Sequence, residues 1–258
     1  MQDYYQYDAS FPHCRWWMTL TIPLSMYFQE SRSRHLDFNQ IIVKGINKED
    51  CLSTIEAWWG ITDRTSWIEM IIKLIKGKVH GDELLQELEL IHFIYPSQWQ
   101  EYMNDIDNKQ GLVDCQFAEV VYHHCGIGGI RAWDFARAVH LIRYAYTCNL
   151  ITESETCFLL NQNANQAQYH FKSWRQYSIS CNLGRSYWKF THTEADSAGF
   201  SDACQNLLNR GIGYEYENFC QDLKAHQCYF DTLDWQTPLP QLAMPTSLSV
   251  FFNEEGIV

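Results

Sequence analysis

Hydrophobic and polar positions repeat at helical spacing over most of this chain. The longest unbroken run is GIRAWDFARAVHLIRYAYTCN, Gly129 to Asn149. No proline interrupts it, Gly128 and Gly129 open it, and Asn149 can close a helix in the left-handed conformation. Asp134, Ala138, Leu141, Ala145 and Cys148 form a largely apolar stripe, the pattern of a face turned to a core. Trp133, Arg137, His140 and Tyr144 follow at steps of four, three and four on the neighbouring face. Asp134 stands three residues before Arg137, within pairing reach on a helix.

The same pattern predicts the other helices. Asn47 caps EDCLSTIEAWW, which ends at Gly60. Thr62 opens DRTSWIEMIIKLIKG, with Trp67, Met70, Ile71, Leu74 and Ile75 on one face. Asp82 starts ELLQELELIHFI, Pro96 closes it, and Ser97 caps QWQEYMNDI. DNKQG is a turn, and Asp114 leads CQFAEVVYHHCG. Thr152 and Glu155 make a capping box for a helix whose middle, NQNANQAQ, is strongly polar and which runs on through FKSW. YSISCNLGRSYWKF continues as helix with a kink near Leu183 and Gly184. FSDACQNLLNRG ends at Gly211, and YEYENFCQDLKAHQ is a last amphipathic candidate.

The two ends differ. Residues 1–46 carry TLTIPL and FNQIIVKGI, rich in β-branched residues, and predict an extended arm or small hairpin. From about Asp231, Pro238, Pro240 and Pro245 predict an irregular tail that wraps the body. The expected fold is all-α: a single helical domain over 47–258, with eight or nine helices, behind a β-like arm over 1–46.

Composition narrows the function classes. Charged residues are 19% and hydrophobic residues 46% of 258, so the chain can build a sizeable core. A net charge of -12 argues against non-specific nucleic-acid binding and favours a basic protein as partner. The apolar run 16–28 is too short to span a bilayer and contains Pro23. The polar, aromatic N-terminus is not the start of a secretory signal, and ten cysteines without a C-x-x-C pair suit a reducing cytoplasm, most of them as small apolar core residues.

No motif for nucleophilic catalysis or nucleotide binding occurs. Cys115, Glu119 and His123 share a helix face, and His140 or His170 could join His123, but the spacing matches no strong metal template; no metal and no cofactor is expected. Gly126-Ile127-Gly128-Gly129 beside Arg131 reads either as an anion-binding helix start or as a tight interhelical turn.

Four stretches carry a family resemblance: WWGITDR (58–64), RAWDFARAVHLIRYAY (131–146), the TESE start with its helix through FKSWRQYS (152–178), and LGRSYWKF (183–190). Together they resemble a bacterial family known as domain of unknown function 1266, represented by paired paralogues in enterobacteria. The similarity covers roughly residues 58–240, and residues 1–46 are peculiar to this branch. The family's usual Gly-His pair after the second helix is replaced here by Gly77-Lys78-Val79-His80. The resemblance implies an intracellular helical protein and carries no activity with it. Its motif positions are Asp63, Arg64, Trp133, Asp134, Arg137, Arg143, Trp174, Gly184, Arg185 and Trp188.

Two functions fit these residues. The first is protein–protein interaction, as an accessory or immunity-like binder of a basic partner, with Trp16, Trp17, Trp58, Trp59 and Trp99 as anchors if exposed. The second is an enzyme or small-anion binder with a pocket formed by Trp133, Asp134, Arg137, His140, Arg143, Tyr144, Trp174, Arg185 and Trp188. The same residues could equally form a buried structural seam.

Overall fold

The computed structural model describes residues 5–25, 40–193, 199–210, 224 and 230–252. Among them are eleven α-helices and no strand. They are α1 (Pro12–Thr19), α2 (Ile22–Ser25), α3 (Lys48–Trp59), α4 (Arg64–Ile75), α5 (Leu85–Phe93) and α6 (Pro96–Asn104). α7 (Lys109–Cys125), α8 (Ala132–Thr147), α9 (Glu153–His170), α10 (Trp174–Thr191) and α11 (Phe200–Arg210) follow. The all-α class is as expected, with more helices than the eight or nine anticipated.

The β-like arm is a correction. The chain from Pro12 to Ser25 forms α1 and α2 instead. Pro12 and Pro23 stand at the starts of these helices, where a missing N–H costs nothing. Cys14, Trp16, Trp17, Met18, Leu20 and Ile22 are fully buried, and this burial outweighs the strand preference of TLTIPL. Residues 40–47 contain no strand either, and the amphipathic candidate over 214–227 lies, but for Lys224, outside the described residues.

The chain divides into two compact units. The first comprises Met1–Lys76, Phe135–Tyr169 and Gln227–Val258. Its helices start and stop where local chemistry demands. The Asn47 side chain accepts the Asp50 N–H at 2.8 Å, and Gly60 ends α3 at φ +64°. Asp63 Oδ1 caps α4 by accepting the N–H groups of Thr65 and Ser66. Thr152 Oγ1 accepts the Glu155 N–H and Glu155 Oε2 accepts the Thr152 N–H, which completes the capping box of α9.

The polar middle of α9 is buried. Asn163 donates to the Phe135 carbonyl (3.0 Å) and Asn161 to the Pro240 carbonyl (2.8 Å). Gln168 donates to the carbonyls of Trp235 and Thr237. Asn161 and Gln168 thereby hold the proline-rich tail, whose carbonyls have no ladder of their own, while Asn163 ties α9 to α8. Trp235 packs against Trp16, with ring centroids 5.1 Å apart.

The second unit comprises Gly77–Asp134 and His170–His226. α7 starts at Lys109, ahead of the expected Asp114, because the Asn108 side chain accepts the Gly111 N–H. Its core stacks Phe117 on Tyr187 (5.5 Å, 8°) and sets Phe171 edge-on to Tyr177. The helix expected to continue through FKSW breaks at Phe171–Ser173, and Ser173 caps α10 by accepting the Gln176 N–H. α10 then runs as one helix through Leu183 and Gly184. Gly184 serves close packing: an added Cβ would lie 2.6 Å from Trp133 Cβ and 2.9 Å from the Ile130 carbonyl.

Candidate functional site

The polar residues of α8 and its neighbours take up several distinct tasks. Asp134 is fully buried. Its Oδ2 accepts the backbone N–H groups of Val79, His80 and Gly81 at 2.9, 3.0 and 2.9 Å. One carboxylate oxygen therefore organises the loop after α4, where the sequence departs from the family pattern. Gly81 sits against Arg131, where a Cβ would meet Arg131 Cα at 2.9 Å.

Arg131 is buried and turns back, donating from Nη1 to the carbonyls of Ile127 and Gly128. That resolves Gly126–Gly129 as a tight turn, with a 3₁₀ turn over Gly126–Gly128. Burial and the neighbouring Arg131 push His170 down to about 4.

The other candidate residues fall in both units. In the second unit, Trp133 lies 5.9 Å from Trp188, whose ring is 4.8 Å from His192. Trp174 is buried edge-on to Tyr177, and Arg185 is half-buried. In the first, the Arg137 guanidinium lies over the Trp59 ring, 5.4 Å from its centroid. His140 tilts against Tyr144 at 4.5 Å. Arg143 donates to the Gln40 carbonyl (3.2 Å). Burial, then the neighbouring Cys51, pushes the Tyr144 hydroxyl up to about 12.

Arg64 and Glu155, also of the first unit, form an ion pair, and Ser247 donates to the same carboxylate oxygen. Burial opposes ionisation of Glu155. The Ser247 hydroxyl, the Thr152 N–H and Arg64 outweigh it, and the carboxyl stays below its usual range.

Of the three residues that share a face of α7, Cys115 is buried and Glu119 accepts the Trp99 indole N–H at 2.8 Å. No group of three His, Cys, Asp or Glu among the described residues could hold a metal. The eight described cysteines are buried thiols. No helix among the described residues is long and apolar enough to cross a membrane.

The tryptophans expected as anchors do not form one patch. Trp16, Trp17 and Trp99 are buried, Trp59 is half-buried, and Trp58 is exposed. Among the described residues of the second unit, the large exposed rings lie instead at the α5–α6 corner. Phe93 is 81% exposed, Tyr95 76% and Tyr102 43%. Tyr102 stacks on Trp99 (5.5 Å, 27°), and His92 bonds the Tyr122 hydroxyl at 2.7 Å. The corner is thereby fixed to α7 from both of its helices.

Seven carboxylates, Asp82, Glu83, Glu87, Glu89, Glu101, Asp105 and Asp107, lie between Lys78 and Lys109 with no Lys or Arg among them. Of this corner the sequence reading singled out only Trp99. The gap in basic residues was the signal that could have found it.

Two relatives from Escherichia coli (strain K12) match this chain. "Uncharacterized protein YbeR" is 27% identical over 203 residues, covering 77% of this chain and 82% of the relative. "Uncharacterized protein YbeU" is 27% identical over 191 residues, covering 74% and 79%. No solved structure matches. The family profile described as "Protein of unknown function (DUF1266)" matches residues 54–235, and the chain belongs to that family.

Proposed function

We propose that this protein acts by protein–protein contact, binding a basic partner at the α5–α6 corner. The observation that carries this reading is the set Phe93, Tyr95 and Tyr102, exposed within a segment of seven carboxylates and no Lys or Arg. Burying such rings supplies affinity, and aromatic anchors dominate interface energetics. A surrounding negative field steers a basic partner and rejects acidic ones. The corner suits this task because its anchors, Trp99 on Glu119 and His92 on Tyr122, hold the rings on a rigid base.

The test compares three immobilised proteins in lysate of the native host: wild type, Phe93→Ser/Tyr95→Ser, and Glu89→Lys/Glu101→Lys/Asp105→Lys. The expected result is one basic protein held by wild type and lost by both variants. Once purified, that protein binds wild type at least about thirtyfold more tightly than the aromatic variant. Its affinity falls with added salt. If both variants retain every protein that wild type retains, the corner is not the docking site.

A further inference from the structure

A second feature of the molecule is independent of that corner. The last turn of α7 and the start of α10 form an open pocket of about 310 Å³, lined by His123, His124, Ser173, Arg175, Gln176 and Ile179, of which both histidines and Arg175 are exposed at its rim. Its lining holds Arg175 and no carboxylate, in a chain of 31 acidic and 19 basic residues. Among the described residues, the Arg175 guanidinium has no carboxylate within ion-pair distance and no hydrogen bond. Neither the His123 nor the His124 imidazole has a hydrogen-bond partner there either, and their rings stand 5.0 Å apart.

The remaining polar groups are set by their own bonds. Gln176 accepts the Lys172 N–H and donates to the Cys125 carbonyl, which fixes the pocket wall. Ser173 accepts the Gln176 N–H, which leaves its hydroxyl hydrogen available for donation. The Arg175 N–H lies in the first turn of α10 and has no carbonyl within the helix to bond.

We infer that this pocket binds a small oxyanion of the phosphate type, with Arg175 as its charged clamp, His123 and His124 as flanking donors and the Ser173 hydroxyl as a further donor. Arg offers planar paired donors to such a group, and donors without protein acceptors are filled by an anion that accepts from several sides. The electrostatics point the same way. Burial, then His123 and Arg175, hold His124 below the ordinary imidazole range. A bound anion reverses the last two causes and draws a proton onto the ring.

The probes are inorganic phosphate, methyl phosphate, and sodium chloride at matched ionic strength, applied to the full chain. The expected result is a saturable rise of the unfolding midpoint by about 2–4 °C with phosphate over chloride. It is accompanied by movement of the His123 and His124 ring resonances. Arg175 is exposed, so Arg175→Gln should fold normally by circular dichroism, yet bind phosphate at least about tenfold more weakly. Arg175→Lys should recover part of the loss. Equal or tighter binding of methyl phosphate identifies an esterified phosphate as the preferred form, and its exclusion identifies the free ion. A midpoint that phosphate moves no further than chloride overturns the inference, and so does an undiminished response in folded Arg175→Gln.

Discussion

The α9 middle and the α5–α6 corner reverse the usual rule in opposite directions. NQNANQAQ looks like a solvated face, yet Asn161 is 1% exposed and Asn163 0%. The corner's Phe93 and Tyr95 look like core, yet they are 81% and 76% exposed. The difference lies in what each neighbourhood demands. A proline-rich tail presents backbone carbonyls without a regular partner, and buried carbonyls need donors. α9 supplies them as side-chain amides. Around α5 and α6, the core positions are already filled by Leu84, Leu88 and Trp99, so the remaining rings stay outside. Polarity in a sequence therefore marks what a backbone needs as often as it marks the solvent.

That contrast can be broken, and the largest effect is expected from the most heavily engaged polar group. Asp134→Ala strands three backbone N–H groups and should lower the unfolding free energy by about 3 kcal/mol in urea melts. A loss below about 1 kcal/mol would show that the 79–81 loop does not depend on it. Asn163→Leu removes a buried donor from α9 and should cost about 2 kcal/mol, although it makes the helix more apolar. A gain in stability would mean that α9 is polar for some reason other than its backbone partners.

Acid sharpens the same comparison through Glu155, whose folded pKa lies below its ordinary value of 4.5. Its stabilising contribution is complete above pH 4.5 and is lost as pH falls through the lowered folded value. The stability gap between wild type and Glu155→Gln should therefore narrow as melts move from pH 7 to below 4. A constant gap would remove the ionised carboxylate from the account. At the corner, Phe93→Ser/Tyr95→Ser should change stability by less than about 0.5 kcal/mol while abolishing partner capture. A larger destabilisation would reassign those rings to the core.

Much of the fold was legible because it rests on local chemistry. Asn47, Gly60, the Thr152–Glu155 box and Asn149 at φ +57° bound their helices as the sequence indicates. The misses arise where distant contacts decide. TLTIPL is helical because its burial overrides strand propensity. Gly184 reads as a flexible point in α10, but it is there because Trp133 needs the space of its missing Cβ. For the candidate site, spacing put Trp133, Arg137, His140 and Tyr144 on one face. It gave no access to the tertiary partners: Asp134 holds a loop more than fifty residues earlier, and Arg137 covers Trp59. His123 was weighed as a metal ligand, whereas the pocket it lines also holds His124 and Arg175, the latter about fifty positions later in the chain.

The α9 amides also set an order of events during synthesis. Asn161 meets the Pro240 carbonyl 79 positions later, and Glu155 meets Ser247 at a separation of 92. At about 5–20 residues per second, a ribosome delivers those partners some 4–18 s after α9 has left it. Until then Asn161 and Gln168 lack the tail carbonyls they bond in the fold. A stop codon placed before Trp235 removes those carbonyls permanently and leaves the Asn161 and Gln168 amides without them.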